Sequence, residues 1–393
     1  MLRSIFIWLA AALVAIVAGT TAMGAISKRD APEFAIALQP PNGFVKEAIA
    51  TRRLKTEVAK KQGAFPDSIS PELKLLAENA FRAEPVTPQA VAIMALAVKN
   101  PVRRELMKMA LDLSRREALV TGWMIADSAA REDVSSLLNH YDTMLRTSAT
   151  SGEIIIPVMV QALAKRDAIE PFRIKLSHSP PWSDRFWTKV AENSEALDNV
   201  VVLRQELYSK NEQGNNYRDA ALIYALITNN KFGKAKKLFE LLSKPTGNSN
   251  IIQNGEFKSV PKYPPMDWQL FSTGEYGAAI DKNRLNLSII PNSSGLFARQ
   301  LVKLPRQTVD LKIKGSWTGS QNDLLAFDLY CSEDIMDKPN KITMPFEGGV
   351  MSTAIDNTKT SCDYFWLEIR GRAGQAGNGF DAYFNSISIK PRG

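Results

Sequence analysis

Cys362 to Arg370, CDYFWLEIR, is the stretch of this chain best supplied with groups that could hold a polar ligand. Strand alternation would put Phe365, Leu367 and Ile369 on one face and Tyr364, Trp366, Glu368 and Arg370 on the other. Such a mixed face suits a sugar. An aromatic ring stacks on the C–H face of a pyranose, and nearby polar groups bond its hydroxyls. Trp366 and Tyr364, with Arg370 and Glu368 beside them, are therefore the first candidates. Trp317, Trp268 and Tyr276 offer further rings. The competing expectation is that one sheet face packs the core while the other is covered by loops or helices.

Catalysis has weaker support. A glycosidase needs an acid paired with a base or nucleophile. Glu347 and Glu368 lie on or beside predicted strands, and nothing in the sequence sets their separation. The two histidines do not help. A catalytic histidine needs a nucleophile or an orienting carboxylate. Asp142, two residues after His140, falls on another side of a helix, and His178 sits in SHSPPW. Two isolated histidines make no zinc site. The chain is expected to be non-enzymatic and without a cofactor, and a polysaccharide-modifying enzyme is the reading held against that.

These residues need strands to hold them. Strands are predicted at 276–281, 285–291, 296–304, 308–317, 323–331, 341–346, 363–370 and 380–390, punctuated by Gly, Asn and Pro. Short strands of this number and spacing point to an antiparallel β-sandwich. Cys331 and Cys362 are the only cysteines, and each ends or begins a predicted strand. In an exported sandwich such a pair is more often bridged than free. Closing that loop would stabilise the fold by about 3–4 kcal/mol in the chain-entropy treatment.

The opening NGEF at 254–257, a Trp after the Pro-rich loop at 264–268, and the closing FNSISIKP strand resemble carbohydrate-binding jelly rolls of families 4 and 9, within the galactose-binding-like group. The resemblance covers residues 251–393. It implies that the opening segment pairs with the closing strand and that the module binds polysaccharide. It also implies a structural calcium near the two chain ends, for which Glu256 and Asp381 are the matching acidic positions.

Residues 66–243 have a different texture, rich in Ala, Leu, Lys and Arg at helical spacing. Ser70-Pro71-Glu72 opens a helix with a cap, a first-turn proline and an acid at the positive end, and Thr87-Pro88-Gln89 repeats the device. Further helices are predicted at 100–115, 117–129, 132–147, 151–165, 168–177, 183–193, 195–209, 214–229 and 231–243. Tyr217, Ala220 and Ala221, followed by Phe232-Gly233 and Phe239, resemble a tetratricopeptide-type helix pair, and Ala95, Ala97, Met107 and Ala110 sit similarly. The resemblance implies a helical-repeat array that gathers protein partners. An irregular bundle is the alternative. Residues 244–250, KPTGNSN, read as a linker.

At the start, Arg3 precedes an uncharged run over 5–18, then small residues to 26 and the charges of Lys28 and Arg29. A run of this kind fits a membrane anchor or a secretory signal cleaved after about residue 22 or 24. Residues 1–26 are taken as anchor, or else as signal, and the Pro-containing 27–65 as a stalk with one helix near 43–62. A net charge of +8 without a basic block or a nucleic-acid motif argues against nucleic-acid binding. The expected whole is a multidomain α + β chain: transmembrane helix, tetratricopeptide-like array, then β-sandwich. Its expected place is the bacterial inner membrane, single-pass, with the bulk in the periplasm, or secretion if the signal is cleaved. Its expected role is a scaffold with a glycan-binding module in polysaccharide assembly or export. A pure protein-interaction scaffold is the alternative.

Overall fold

The computed structural model describes residues 2–27, 30–38, 41–60, 66, 68–208, 216–243, 250–333, 341–375 and 378–392, with the side chains of 2–10, 38, 60 and 216 outside that description. The chain forms two units. One comprises Met1–Met159 with Pro180–Trp182, and the other Val160–Ser179 with Ser183–Gly393. The linker expected at 244–250 falls mostly on residues outside the described ones.

The first unit is helical: α1 (Leu2–Ser27), α2 (Pro32–Leu38), α3 (Gly43–Lys60), α4 (Pro71–Ala83), α5 (Pro88–Leu96), α6 (Val102–Leu113), α7 (Ala118–Ala130), α8 (Val134–Thr147) and most of α9 (Gly152–Ala162). Among the described residues no helix is long and apolar enough to cross a membrane. The expected anchor at 1–26 lies partly outside the described residues, since the side chains of 2–10 are not among them.

The stalk expectation needs correcting. Residues 43–60 form α3, and its Ala50 and Leu54 are buried in one core with Leu73, Ala77 and Ala80 of α4 and Ala90 of α5. Alanine at these positions lets helix backbones approach closely. Ser70 caps α4 as expected, its Oγ accepting from Leu73 N at 3.3 Å. Thr87 does not cap α5. Its hydroxyl donates to Glu84 O, and Glu47 of α3 instead accepts from Gln89 N (2.7 Å) and Ala90 N (3.2 Å). A carboxylate there meets both the free amides and the helix dipole. Arg104 of α6 grips Asp127 of α7 with two 2.8 Å bonds.

The second unit begins with α10 (Ile169–Leu176), α11 (Ser183–Val190), α12 (Leu197–Tyr208), α13 (Asn216–Thr228) and α14 (Phe232–Ser243). A buried bidentate pair, Arg204–Asp219, ties α12 to α13 at 2.6 and 3.0 Å. Tetratricopeptide-type repeats are not established. Tyr217 is 79% exposed and Ala220 and Ala221 are half-buried. The signature aromatics of α14 find partners elsewhere: Phe232 packs on Tyr364 at 5.5 Å and Phe239 on Tyr263 at 6.1 Å. In the first unit, Ala95, Met107 and Ala110 are fully buried.

Ten strands follow: β1 (Gln269–Leu270), β2 (Tyr276–Asp281), β3 (Arg284–Ile289), β4 (Ser294–Lys303), β5 (Thr308–Trp317), β6 (Leu324–Cys331), β7 (Ile342–Pro345), β8 (Gly349–Asp356), β9 (Tyr364–Arg372) and β10 (Phe380–Pro391). They make two five-stranded antiparallel sheets, in the orders β1-β4-β9-β6-β7 and β2-β3-β10-β5-β8. The sheets share a core. Phe297 of β4 meets Phe380 of β10 at 6.3 Å, and Phe327 of β6 meets Phe384 of β10 at 5.2 Å. This is a β-sandwich. Its opening segment lies along its closing strand: Ile251 N donates to Ile389 O, and Ile387 N to Gly255 O. Cys331 and Cys362 form a disulfide that links the ends of β6 and β9.

Candidate functional site

The alternation read in 362–370 holds. Phe365, Leu367 and Ile369 enter the core, leaving Tyr364, Trp366, Glu368 and Arg370 on the outer face of the β1-β4-β9-β6-β7 sheet. Register sets Arg299 of β4 and Asp328 of β6 beside Glu368, and Tyr330 of β6 beside Trp366. These groups satisfy one another. Glu368, 2% exposed, accepts from Tyr330 Oη (2.7 Å) and from Arg370 Nη2 (2.6 Å). Asp328 meets Lys341 at 2.7 Å and accepts from the Thr343 hydroxyl at 2.8 Å. The Arg299 guanidinium lies 4.4 Å from the centre of the Trp366 ring, a cation–π contact that occupies one ring face. Burial first, and the Glu368 carboxylate second, hold the Tyr330 phenol far above its ordinary value. Tyr364 is 7% exposed beneath Phe232. Glu368 and Arg370 are thus paired with each other, Tyr364 is closed off by Phe232, and Trp366 is half-buried with one ring face against Arg299.

The other rings divide. Trp268 is 1% exposed and packs on Phe257 in the core, so it offers a ligand nothing. Tyr276 packs edge-on against Phe297. Trp317 is half-buried, edge-on to Phe380 at 5.2 Å, and its ring rests directly on Gly319, where any Cβ would lie 2.0 Å from it. The acidic pair does not converge on one ion. Glu256 pairs with Lys258 and adjoins Gly255, whose carbonyl meets Ile387. Asp381 stands six residues before Ile387 on β10, roughly 20 Å away along the strand. Among the described residues the one cluster of metal-ligand types is Cys331, Glu333 and Cys362, and its two sulfurs are bonded to each other. Glu347 is exposed between β7 and β8. His140 is half-buried, and desolvation lowers its pKa. His178 Nδ1 lies 2.9 Å from Ile174 O.

Trp317 faces the core: it pairs in register with buried Ala382 of β10 and shares the side of β5 that carries Val309, Leu311 and Ile313. A groove lies on the opposite, outer face of that sheet. The groove has a volume of about 600 Å³ and runs across β2, β3, β10 and β5. Tyr383 supplies its ring, and Asn286, Ser288, Ser316 and Asp381 its polar groups. Antiparallel register places Tyr383 opposite both Asn286 and Ser316. Tyr383 is 38% exposed, and Arg284 lies 4.9 Å from its ring centre. Aromatic surface edged by an amide, hydroxyls and a carboxylate, in a groove of ligand size, is the combination a sugar requires.

No protein family's sequence profile matches this chain, and no curated protein matches it. Solved structures do. A family 61 carbohydrate-binding module, TmCBM61, solved with β-1,4-galactotriose, is 13% identical over 36% of this chain and 99% of its own, with a TM-score of 0.27. A family 4 carbohydrate-binding module is 14% identical over 36% and 99%, with a TM-score of 0.29. An α-L-arabinofuranosidase solved with arabinose is 16% identical over 36% of this chain and 26% of its own, with a TM-score of 0.26. The two binding modules cover the C-terminal β region. Likeness at this level assigns neither family nor function.

Sequence reasoning chose Trp317, which turns to the core, and not Tyr383, Ser316 or Asn286. A signal for Tyr383 exists. The alternation FDAYF over 380–384 sends Asp381 and Tyr383 to the same face, away from Phe380 and Phe384.

Proposed function

We propose that this is a non-enzymatic protein of the cell envelope whose β-sandwich binds a glycan in the outer-face groove beside Tyr383. The observation that carries the reading is the exposed Tyr383 ring with Asn286, Ser288, Ser316 and Asp381 in one groove. The first unit serves as a helical scaffold, and the apolar run over 5–18 as its anchor to a bilayer. The Cys331–Cys362 disulfide suits an oxidising compartment such as the periplasm. A role in polysaccharide assembly or export follows from that combination. The test is affinity electrophoresis of the full chain through gels containing neutral and acidic polysaccharides, with Tyr383→Ala alongside. The expected result is retardation by at least one polymer, lost in the variant. Equal mobility in every gel removes the glycan reading.

One observation favours a second reading, a pure protein-interaction scaffold. The ring of Tyr364 is closed off by Phe232 of α14, so part of one sandwich face serves to dock a helix rather than to meet a ligand. Pull-down from solubilised membranes with no accompanying glycan would support it.

A further inference from the structure

The groove does not end at Ser316. The outward side chains of β5 run Ser316, Lys314, Lys312, and those of β10 run Tyr383, Ser386, Ser388, Lys390. Register pairs Tyr383 with Ser316, Ser386 with Lys314, Ser388 with Lys312 and Lys390 with Asp310. A bulge at 384–386 keeps the outward series on one face. Successive outward residues of a strand lie about 7 Å apart, so Lys314 stands one step beyond the groove and Lys312 two. Lys390 is the diagonal cross-strand neighbour of Lys312.

These lysines line a cleft of about 940 Å³, to which Lys258 and Lys262 also contribute. Among the described residues Lys262, Lys312, Lys314 and Lys390 form no ion pair. The acids nearby are already engaged. Glu256 pairs with Lys258, and Asp310 pairs with Arg392 at 3.6 Å. Asp267 is 9% exposed and accepts from Trp268 N at 2.7 Å, and burial raises its pKa. Across from Lys312 and Lys314 on β8 stand Ser352 and Val350, so no carboxylate answers them from that side. Three like charges spaced about 7 Å apart along one sheet face repel. An anion laid along them would remove that cost.

We infer that the glycan is acidic: a polysaccharide bearing carboxylate groups, with uncharged ring surface seated on Tyr383 and its anionic groups meeting Lys314, Lys312 and Lys390. The inference rests on the groove reading above and adds the ligand's charge. It puts aromatic stacking and charge recognition on one continuous strip of sheet.

The experiment compares polymers that differ only in charge. The probes are polygalacturonate and its methyl-esterified form, and hyaluronate and its carboxyl-reduced form, with single-stranded DNA as a polyanion that is no glycan. Each is titrated against the full chain, against the triple variant Lys312→Gln/Lys314→Gln/Lys390→Gln, and against Tyr383→Ala. The expected result is at least tenfold tighter binding of an acidic polymer than of its neutral twin, weakening as salt rises. The triple variant abolishes that preference without weakening the neutral twin, and Tyr383→Ala weakens both. Neutral and acidic twins bound equally, with the triple variant unchanged, overturns the acidic assignment while leaving the glycan reading intact. DNA bound as tightly as the best acidic glycan, with Tyr383→Ala silent, overturns it in favour of a general polyanion surface. No glycan bound by any form overturns the groove reading and the inference together.

Discussion

Replacing Asp219 by Asn is the substitution whose cost the structure sets most sharply. Arg204 and Asp219 join α12 to α13 through bonds of 2.6 and 3.0 Å, and their side chains are 5% and 2% exposed. At such contact two unit charges attract by about 4 kcal/mol with an effective dielectric of about 20. Bringing both out of water costs several kcal/mol per ion, so the pair as a whole adds little net stability. Removing one partner is different, because it leaves the other charge buried. Asp219→Asn should therefore cost about 3–5 kcal/mol, and Arg204→Met a similar amount. The double variant Arg204→Met/Asp219→Leu should lie within about 1–2 kcal/mol of the parent, because it leaves no buried charge unpaired. Urea unfolding of the four proteins, followed by far-UV circular dichroism, measures this. A single variant that costs under about 1 kcal/mol, or a double variant whose cost is the sum of the singles, would refute the reasoning.

Three further expectations can be checked in the same way. Arg104 first, and Arg131 after it, hold the Asp127 carboxyl below its ordinary range, so the pairing stabilises above about pH 4 and that gain is lost as pH falls through the lowered value. The stability gap between parent and Arg104→Met should narrow between pH 7 and pH 2, and a gap that stays constant contradicts this. Replacing both Cys331 and Cys362 by Ser opens a loop spanning 31 positions and should cost about 3–4 kcal/mol, read as a lowered urea midpoint, with an unchanged midpoint as the contrary result. Phe232→Ala removes a ring 5% exposed and stacked near Tyr364, and should cost about 3–5 kcal/mol in urea unfolding. A cost under about 1 kcal/mol would mean that α14 is not held by that contact.

The sandwich was legible where burial follows the period of the strand. β10 alternates cleanly up to its bulge, and the predicted spans for β2 and β5 coincide with the observed ones. β8 escaped because it is an edge strand. Its GVMSTAID buries only Ile355 fully, so no apolar period marks it. β1 is two residues long and owes its existence to pairing with β4. The second helix cap was misassigned because its carboxylate, Glu47, comes from more than 40 residues upstream. The charge-bearing face was hidden for the same reason. Lys312 and Lys314 look like ordinary solvated strand residues until register lays them beside Lys390. At Trp366 the neighbouring strand matters again, since Arg299 of β4 lies over one face of its ring, a pairing no local pattern announces.

The central claim is that the outer-face groove beside Tyr383 holds a glycan, and Tyr383 tests it most directly because it is exposed and lies outside the core. Dissociation constants for the best polysaccharide from the gel series should be measured by titration calorimetry on the full chain and on Tyr383→Ala. The account predicts at least a tenfold loss of affinity with an unchanged urea midpoint. Affinity retained within twofold would place the ligand elsewhere and contradict the account.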